Sequence, residues 1–317
     1  MLPFLLRRVG QIVLTLVLLA FGAFAVLHAA PGGPAVVLLG TDYWTPEREA
    51  EVNRSLGLDQ PLPIQLWRWS AAIVNGDLGY SYFHRRSAAE VVAERLVPTA
   101  VLGMSAWLLS LVVGVTLGAV AAHRRGQLAD RIISGIGVLA MSMPSFWLGI
   151  LTIVVFAAWL NVLPSAGLVS IGNEDSLLDK LRHLILPMVT LAIGHGASLA
   201  LYTRAAVLDV LGQDFVRTAH AKGLSGRIVA WRHVLRNAAI PIATIAGLNL
   251  VHLLEGSVVV ETVFAWPGIG HLTVASVGRR DYPVLMVLAL VVGVVVVVGS
   301  FLTDVAYRWL DPRLGYE

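Results

Sequence analysis

The chain has 317 residues, of which 57% are hydrophobic and 14% are charged, and its formal net charge is +3. Soluble domains carry about 25% charged residues, so this composition excludes an ordinary soluble domain and indicates an integral membrane protein. The Lys and Arg residues flank apolar runs instead of covering one soluble face, which argues against a nucleic-acid partner. No cysteine occurs, which excludes disulfides, thiolate metal sites and cysteine nucleophiles.

Six apolar runs are long enough to cross a bilayer. The first follows Arg7 and Arg8 and is too long for a typical cleaved signal peptide, so we expect it to remain as an anchor. The third contains Pro144, which should kink or break the span because proline lacks an N–H and crowds the preceding turn. The runs cover residues 9–30, 98–122, 132–160, 184–203, 238–260 and 283–307.

Six spans place both termini on the same side of the membrane, and the distribution of basic residues indicates which side. The short segments of one side carry thirteen Lys and Arg residues against four in the short loops of the other. The positive-inside rule therefore puts both termini in the cytoplasm, since the long segment 31–97 carries little weight. We predict an all-helical membrane protein, with a first helix and external segment over 1–97 and a five-helix core over 98–317.

The segment 204–241 is the longest basic, helix-forming stretch, with six Lys and Arg residues and two Asp residues. It joins the fourth and fifth spans and is therefore expected in the cytoplasm. Its pattern predicts a helix over residues 208–222 that ends at Gly223, and a second helix with Ser225 at its N-cap.

An apolar tip is predicted on the first of these two helices. Phe215, Val216 and Ala219 would form it, flanked by Arg217 and Lys222. Such a tip suits an amphipathic loop lying on anionic lipid, and it equally suits a joint that fits a groove on a cytoplasmic partner protein. The pattern by itself leaves both interpretations open.

The same segment resembles a known family. Residues 217–224 read RTAHAKGL and residues 232–238 read RHVLRNA. They resemble the EAA loop of permease subunits in binding-protein-dependent ABC importers, and most closely the dipeptide, oligopeptide and nickel branch. Two positions depart from the general loop: Arg217 stands where the motif has Glu, and Pro241 lies further beyond Gly223.

The resemblance extends over nearly the whole chain, with the family's motifs in the family's order. Gly33 stands where the family's PGDP turn has Asp. The matching segments are PGGP at 31–34, LGLDQP at 56–61, GDLGYS at 76–81, SMPSFWLG at 142–149, ETVFAWPGIG at 261–270, RDYP at 280–283 and LDPR at 310–313.

This resemblance implies a type I ABC importer permease in a prokaryotic inner membrane, whose cytoplasmic loop forms a coupling helix. The implied partners are a second homologous permease subunit, two cytoplasmic ATPase subunits that bind ATP and Mg, an external solute-binding protein and the lipid bilayer. No cofactor is implied in this chain and no nucleic acid. The implied coupling residues are Asp214, Phe215, Arg217, Thr218, Ala219, Lys222, Gly223 and Leu224.

Transport by such a subunit changes the side of the membrane to which the path opens, and it makes or breaks no covalent bond. Its helices would rock between inward-facing and outward-facing states, and small residues would permit the close helix contacts that rocking needs. We expect this role for Gly114, Gly118, Gly135 and Gly137.

Polar residues inside the fifth span are candidates for the translocation path. Asn249, His252 and Glu255 recur every three residues and share a broad helix face. An ionisable group at membrane depth must face a cavity or a partner. Alternatively, Glu255 reaches water near the external end and His252 bonds a neighbouring helix.

No catalytic or metal site is predicted. His195 and Ser198 lack a GxSxG context, and neither HExxH nor the Walker sequence GxxxxGK[ST] occurs. ATP hydrolysis is therefore expected in partner subunits. Peptides are the expected cargo, and nickel, another metal chelate or glutathione are alternatives on the same scaffold. A membrane enzyme and a passive channel are the alternatives from other classes.

Overall fold

The computed structural model describes residues 2–29 and 33–310, without the side chains of residues 2–9, 41–42, 227, 231, 250–256 and 300–310. This part of the chain is helical and contains no β-strand, as predicted, and Tyr80 and Ser87 form an isolated bridge. Residues Ile153–Trp159 and Val229–Leu235 are π-helical. The α-helices are α1 (Leu2–Ala29), α2 (Pro34–Tyr43), α3 (Pro46–Ser55), α4 (Leu62–Val74), α5 (Ala88–His123), α6 (Leu128–Ser142), α7 (Ser145–Thr152), α8 (Leu177–Leu211), α9 (Asp214–Ala221), α10 (Gly226–Ile228), α11 (Arg236–Val263), α12 (Ile269–Arg279) and α13 (Tyr282–Leu310).

Four stretches of the described residues are long and apolar enough to cross a membrane: Gly10–Ala29, Ala88–His123, Leu177–Leu211 and Tyr282–Gly299. A fifth candidate is a bent pair of helices: α6 is one part, and α7 together with the π-helical segment Ile153–Trp159 is the other. The two parts of this pair meet at an angle of 106°.

The bend lies at Pro144, as the sequence predicts. Helix α6 ends at Ser142, and Met143 and Pro144 take extended backbone conformations before α7 begins at Ser145. Proline cannot donate a backbone hydrogen bond, and it pushes the preceding residue out of the helical region. The Pro144 carbonyl accepts the first hydrogen bond of α7, from Trp147 N at 3.0 Å.

The chain forms two compact units. The first consists of residues up to Pro98 together with Gly268–Val298, and the second is built on Thr99–Pro267. Helix α5 therefore begins in one unit and continues in the other. Each unit has its own apolar core.

In the first unit, a buried carboxylate ties the GDLGYS segment to the RDYP segment. Asp281 is buried, and it accepts hydrogen bonds from the Ser81 hydroxyl and from Tyr82 N at 3.1 Å. Burial raises the pKa of Tyr82 to about 12, and the Asp281 charge contributes, so its phenol stays protonated. These contacts join the two distant motifs: Ser81 and the adjoining Tyr82 supply the donors and Asp281 supplies the acceptor.

Glycine is required at position 79 of this unit. Gly79 has φ +90°, and a Cβ built there would lie 3.2 Å from Pro283 Cβ. A side chain at this position would therefore combine a strained backbone with a tight contact. The apolar core of the same unit includes Val91, Val92 and Val284, all buried.

In the second unit, residues 261–267 of the ETVFAWPG segment contribute three deeply buried side chains, those of Glu261, Phe264 and Trp266. Glu261 is fully buried and accepts a hydrogen bond from Thr99 Oγ1 at 2.8 Å. Phe264 and Trp266 fill the core beside Leu102. The Phe264 carbonyl accepts a hydrogen bond from Gly167 N at 2.8 Å, which fastens the polar loop after the third predicted span to this core.

Helices α5 and α8 of the second unit cross at unusually close range. A Cβ built at Gly114 would lie 2.8 Å from the Gly196 carbonyl oxygen, and one at Gly118 would lie 2.4 Å from the Ala200 carbonyl oxygen. Small residues four apart on both helices allow this approach, as in small-xxx-small packing. The predicted close contacts of Gly114 and Gly118 are therefore confirmed.

The other two glycines of that prediction behave differently. A Cβ at Gly137 would meet only Leu201, at an ordinary 3.5 Å. A Cβ at Gly135 would have nothing within 4 Å, so the prediction of a close helix contact at Gly135 is wrong within this chain. Composition marks a residue as small, whereas its rotational position on α6 decides whether a neighbour approaches it.

The crossing gives a direct test. Gly118→Ala should destabilise the protein by about 1–3 kcal/mol, because the added methyl group meets the backbone of α8, which cannot shift locally. Gly103→Ala on the same helix is the matched control, since its Cβ would meet nothing within 4 Å. Thermal unfolding of the purified protein measures both. Equal melting temperatures for the two variants would contradict the close crossing.

Candidate functional site

Helix α9 lies in the predicted cytoplasmic segment as a separate element. Helix α8 ends at Leu211, Gly212 caps it, and Gln213 is extended, with φ −76° and ψ 147°. The predicted single helix over residues 208–222 is therefore wrong. Glycine is a poor helix former, and the break here lets Asp214 start a new helix, where its carboxylate is favourable to the helix dipole.

The predicted helix stop at Gly223 is confirmed. Gly223 has φ +78°, and its N–H donates to the His220 carbonyl at 2.9 Å. The Leu224 N–H donates to the Ala219 carbonyl at 3.3 Å, so the last turn of α9 is satisfied by the residues just beyond it. Ser225 takes the N-cap position of the next helix, but its side chain makes no capping hydrogen bond there.

One face of α9 packs against its own chain. Val216 and Ala219 are 2% and 5% exposed, and they belong to one cluster with Val207 of α8, Val234 of the π-helical segment and Ala238 of α11. Burying a side chain the size of valine contributes about 1.5–3 kcal/mol. Helix α9 is thus packed against the π-helical segment, in a cluster that also contains residues of both long helices flanking the segment.

The opposite face of α9 is exposed. It carries Asp214, Arg217 and Thr218, with Phe215 at its edge, and Lys222 follows at the end of the helix. Arg217 Nη1 lies 3.3 Å from Asp214 Oδ1, with both side chains largely in solvent. An exposed ion pair of this kind adds little stability, so it leaves both charges available to a partner.

The predicted apolar tip is only partly formed. Phe215 is 43% exposed, whereas Val216 and Ala219 point into the cluster. Phe215 and Ala219 are four residues apart and so point in similar directions, which is why the spacing predicts a single tip. Which of the two is buried depends on the partner cluster, which comes from distant residues. The exposed apolar group on this face is Phe215, with Arg217 beside it.

An ion pair at the start of the segment braces α8 to α6. Arg204 Nε lies 2.6 Å from Asp130 Oδ1, and Arg204 Nη2 lies 2.9 Å from Asp130 Oδ2. Asp130 also accepts hydrogen bonds from Gly126 N at 2.9 Å and from Ser134 Oγ at 3.3 Å. Such a bidentate, fully bonded carboxylate fixes orientation as well as distance.

Sequence reasoning missed Asp130. The sequence signal for this residue was its position: Asp130 is the one acidic residue in the basic stretch 123–131. An acid buried beside a membrane span requires a basic partner, but its sequence separation of 74 residues from Arg204 hid the pair.

The predicted path residues are only partly described. The Asn249 amide nitrogen is buried and has no hydrogen-bond partner among the described residues. The side chains of His252 and Glu255 lie outside the described residues, although the backbone there continues α11. Among the described residues, no group of three His, Cys, Asp or Glu side chains could hold a metal ion.

The chain matches two protein families over consecutive regions. Residues 114–316 match the family described as binding-protein-dependent transport system inner membrane component. Residues 1–103 match the family described as binding-protein-dependent transport system membrane component, N-terminal.

Curated relatives align along the full chain. The oligopeptide transport system permease protein AppB of Bacillus subtilis is 35% identical over 317 residues, covering 100% of both chains. The glutathione transport system permease protein GsiC of Salmonella paratyphi A is 37% identical, and the dipeptide transport system permease protein DppB of Escherichia coli is 33% identical. Both alignments cover 100% of each chain.

Two solved structures share the fold. An inward-facing structure of the MetNI methionine ABC transporter aligns with a TM-score of 0.57 and 19% identity, over 70% of this chain and 97% of that chain. An amino acid ABC transporter crystallised with histidines aligns with a TM-score of 0.54 and 15% identity, over 70% and 94% of the two chains.

The brace between Asp130 and Arg204 predicts non-additive effects. Asp130→Asn and Arg204→Gln should each lower the melting temperature, because each leaves a charged partner without its counter-charge. The double variant should lose little beyond either single variant, since both substitutions remove the same interaction. Thermal unfolding measures all three, and Arg131→Gln, an exposed neighbour, serves as the control. Strictly additive losses would contradict the brace.

Proposed function

Because the chain belongs to the family of binding-protein-dependent transport system inner membrane components, we propose that it forms, with a second homologous permease subunit, the translocation path of an ATP-driven peptide importer. The observation that carries the coupling part of this proposal is α9: one face is buried in the chain's own core and the other is open. Such a helix can receive a push from outside and pass it to α8 and α11.

The cargo is inferred from the relatives. AppB, DppB and GsiC are permeases of oligopeptide, dipeptide and glutathione transport systems, and glutathione is itself a small peptide. Short peptides are therefore the substrate class that these relatives favour. Nickel or another metal chelate on the same scaffold is the second candidate.

Three kinds of partner follow from the family description. A binding-protein-dependent system requires an external solute-binding protein that delivers the cargo. The permease supplies no ATP site of its own, so two cytoplasmic ATPase subunits would bind ATP and Mg. The second permease completes the path, and the bilayer surrounds both.

We place six spans in the inner membrane, with both termini in the cytoplasm. The excess of basic residues on one side supports this orientation. The four membrane-length helices and the bent pair at Pro144 support five of the spans, and α11 would be the remaining one. In this arrangement α9 faces the cytoplasm.

The exposed face of α9 would enter a groove on the ATPase. Phe215 supplies an apolar anchor, and Asp214, Arg217, Thr218 and Lys222 supply polar contacts around it, whereas Ala219 faces inward. Gly223 and Leu224 would end the helix and fix its direction relative to the segment that follows. Arg217 stands where related loops have Glu, and its exposed pair with Asp214 supports a role in setting the charge of the surface rather than in folding α9.

Coupling would work because the positions of the coupling helices differ between the open and the closed state of the ATPases. Closure of the ATPases on ATP would draw the two coupling helices together, and the rigid packing of Val216 and Ala219 would transmit that displacement to α8 and α11. Access to the path then alternates with no covalent step in this subunit. We propose that Asn249, with His252 and Glu255 on the same helix, forms the polar section of the path. The buried amide nitrogen of Asn249, which has no hydrogen-bond partner among the described residues, supports this assignment.

The proposal predicts loss of coupling when the end of α9 is disturbed. Gly223→Val should sharply reduce ATP-driven peptide uptake while ATP hydrolysis continues, because a β-branched residue does not fit φ +78°. The measurement is uptake by vesicles that contain the whole complex, with the solute-binding protein added outside. Gly226→Val, three residues along, is the matched control, since a Cβ there meets nothing and no positive φ is required.

Two results would contradict different parts of the proposal. Normal uptake by an assembled Gly223→Val complex would refute the coupling assignment. Uptake by the unmodified complex that needs neither ATP nor the solute-binding protein would instead identify a passive channel.

A further inference from the structure

A cavity of about 410 Å³ lies in the second unit between α5, α8 and the π-helical segment that follows α9. Eight of its eleven lining residues are apolar and none is acidic. Its apolar walls come from the last turns of α5, the last turns of α8 and the π-helical segment. They include Val115, Val120, Val207, Leu211, Val234 and Leu235.

The polar lining of the cavity is concentrated at the end of α5. His123 and Arg124 lie one turn beyond the wall residue Val120, and both are exposed, while Thr116 is the third polar lining residue. Arg125 comes next in the sequence but does not line the cavity. The cavity therefore combines an apolar interior with a positively charged rim, and this pairing is complementary to a molecule with an acyl chain and an anionic head.

The location fits the same ligand. The basic run 123–125 follows the second predicted span, so in the proposed orientation the rim lies at the level of the lipid headgroups on the cytoplasmic side. Filling an apolar cavity at that level with a hydrocarbon chain is more favourable than filling it with water. Basic pockets between membrane helices on the cytoplasmic side bind anionic lipid headgroups.

We propose that this cavity binds an anionic phospholipid, with an acyl chain against Val120, Val207 and Val234 and the headgroup phosphate at Arg124 and His123. Val234 belongs to the cluster that holds α9, so the bound chain would pack against the support of the coupling helix. The lipid is then a structural ligand of the segment that follows α9.

Lipid retention tests the proposal without reference to transport. The complex is equilibrated with vesicles of equal parts phosphatidylglycerol and phosphatidylcholine, extracted in detergent, and its retained lipids are identified by native mass spectrometry. Wild type should retain phosphatidylglycerol in preference. Arg124→Gln should reduce this preference about fivefold, the effect of one basic contact near a membrane surface. Arg125→Gln removes the same charge from the neighbouring position and should leave the preference unchanged.

A second variant tests the acyl-chain part. Ala119 lines the cavity, and Ala119→Phe should fill it and reduce the retention of both lipids. A photoreactive residue at the same position should crosslink to phospholipid. Equal losses with Arg124→Gln and Arg125→Gln, full retention with Ala119→Phe, or crosslinking to a partner subunit instead of lipid would each overturn the proposal.

Discussion

The packing of Val216 and Ala219 into the cluster shared by α8, α11 and the π-helical segment is the contact on which the proposed coupling depends. Without it, α9 would be a short helix on two flexible joints, and a push on its exposed face would be absorbed by the joints at Gly212 and Gly223. With it, a displacement of α9 would press on the π-helical segment and on the cluster that this segment shares with α8 and α11, because close-packed interiors transmit strain.

Three further contacts extend this connection through the second unit. The bidentate pair of Asp130 with Arg204 fixes the start of α6 to α8, and the close crossing at Gly118 and Ala200 fixes α5 to α8. The Trp107 indole N–H also donates to the Ala246 carbonyl at 2.8 Å, which joins α5 to α11. Helix α8 is therefore the central element of this unit, since α5 and α6 are both held to it, and the proposed displacement of α9 would reach them through it.

The bend at Pro144 adds a different constraint. Backbone groups freed by a broken helix at membrane depth are tolerated where they are buried or line a hydrated space. The bent pair therefore cannot present its break to lipid. A position facing the path or a neighbouring subunit satisfies this requirement, and the proposed assembly would provide both.

Local chemistry made part of this fold predictable. Proline at 144 and glycine at 223 act on their own turns, so the break in the third span and the end of α9 could be predicted from the sequence. The helical class followed from the apolar runs, and the family followed from motifs in a fixed order.

Features set by distant residues could not be predicted in the same way. The inward direction of Val216 depends on Val207 and Val234, and the burial of Asp130 depends on Arg204. The break at Gly212 was missed because an isolated glycine is often tolerated inside a helix. The number of spans, the sides of the termini and the coupling residues stay predictions.

One measurement tests the coupling account most directly. The chain has no native cysteine, so Phe215→Cys introduces a single reactive thiol on the exposed face of α9. A thiol reagent is applied to the purified permease with and without its ATPase subunits, with Val74→Cys on α4 as a reference for an exposed position outside the coupling segment. The account predicts that the ATPase subunits strongly slow the labelling at position 215 and leave it unchanged at position 74. Equal labelling rates at position 215 in the isolated permease and in the assembled complex would contradict it.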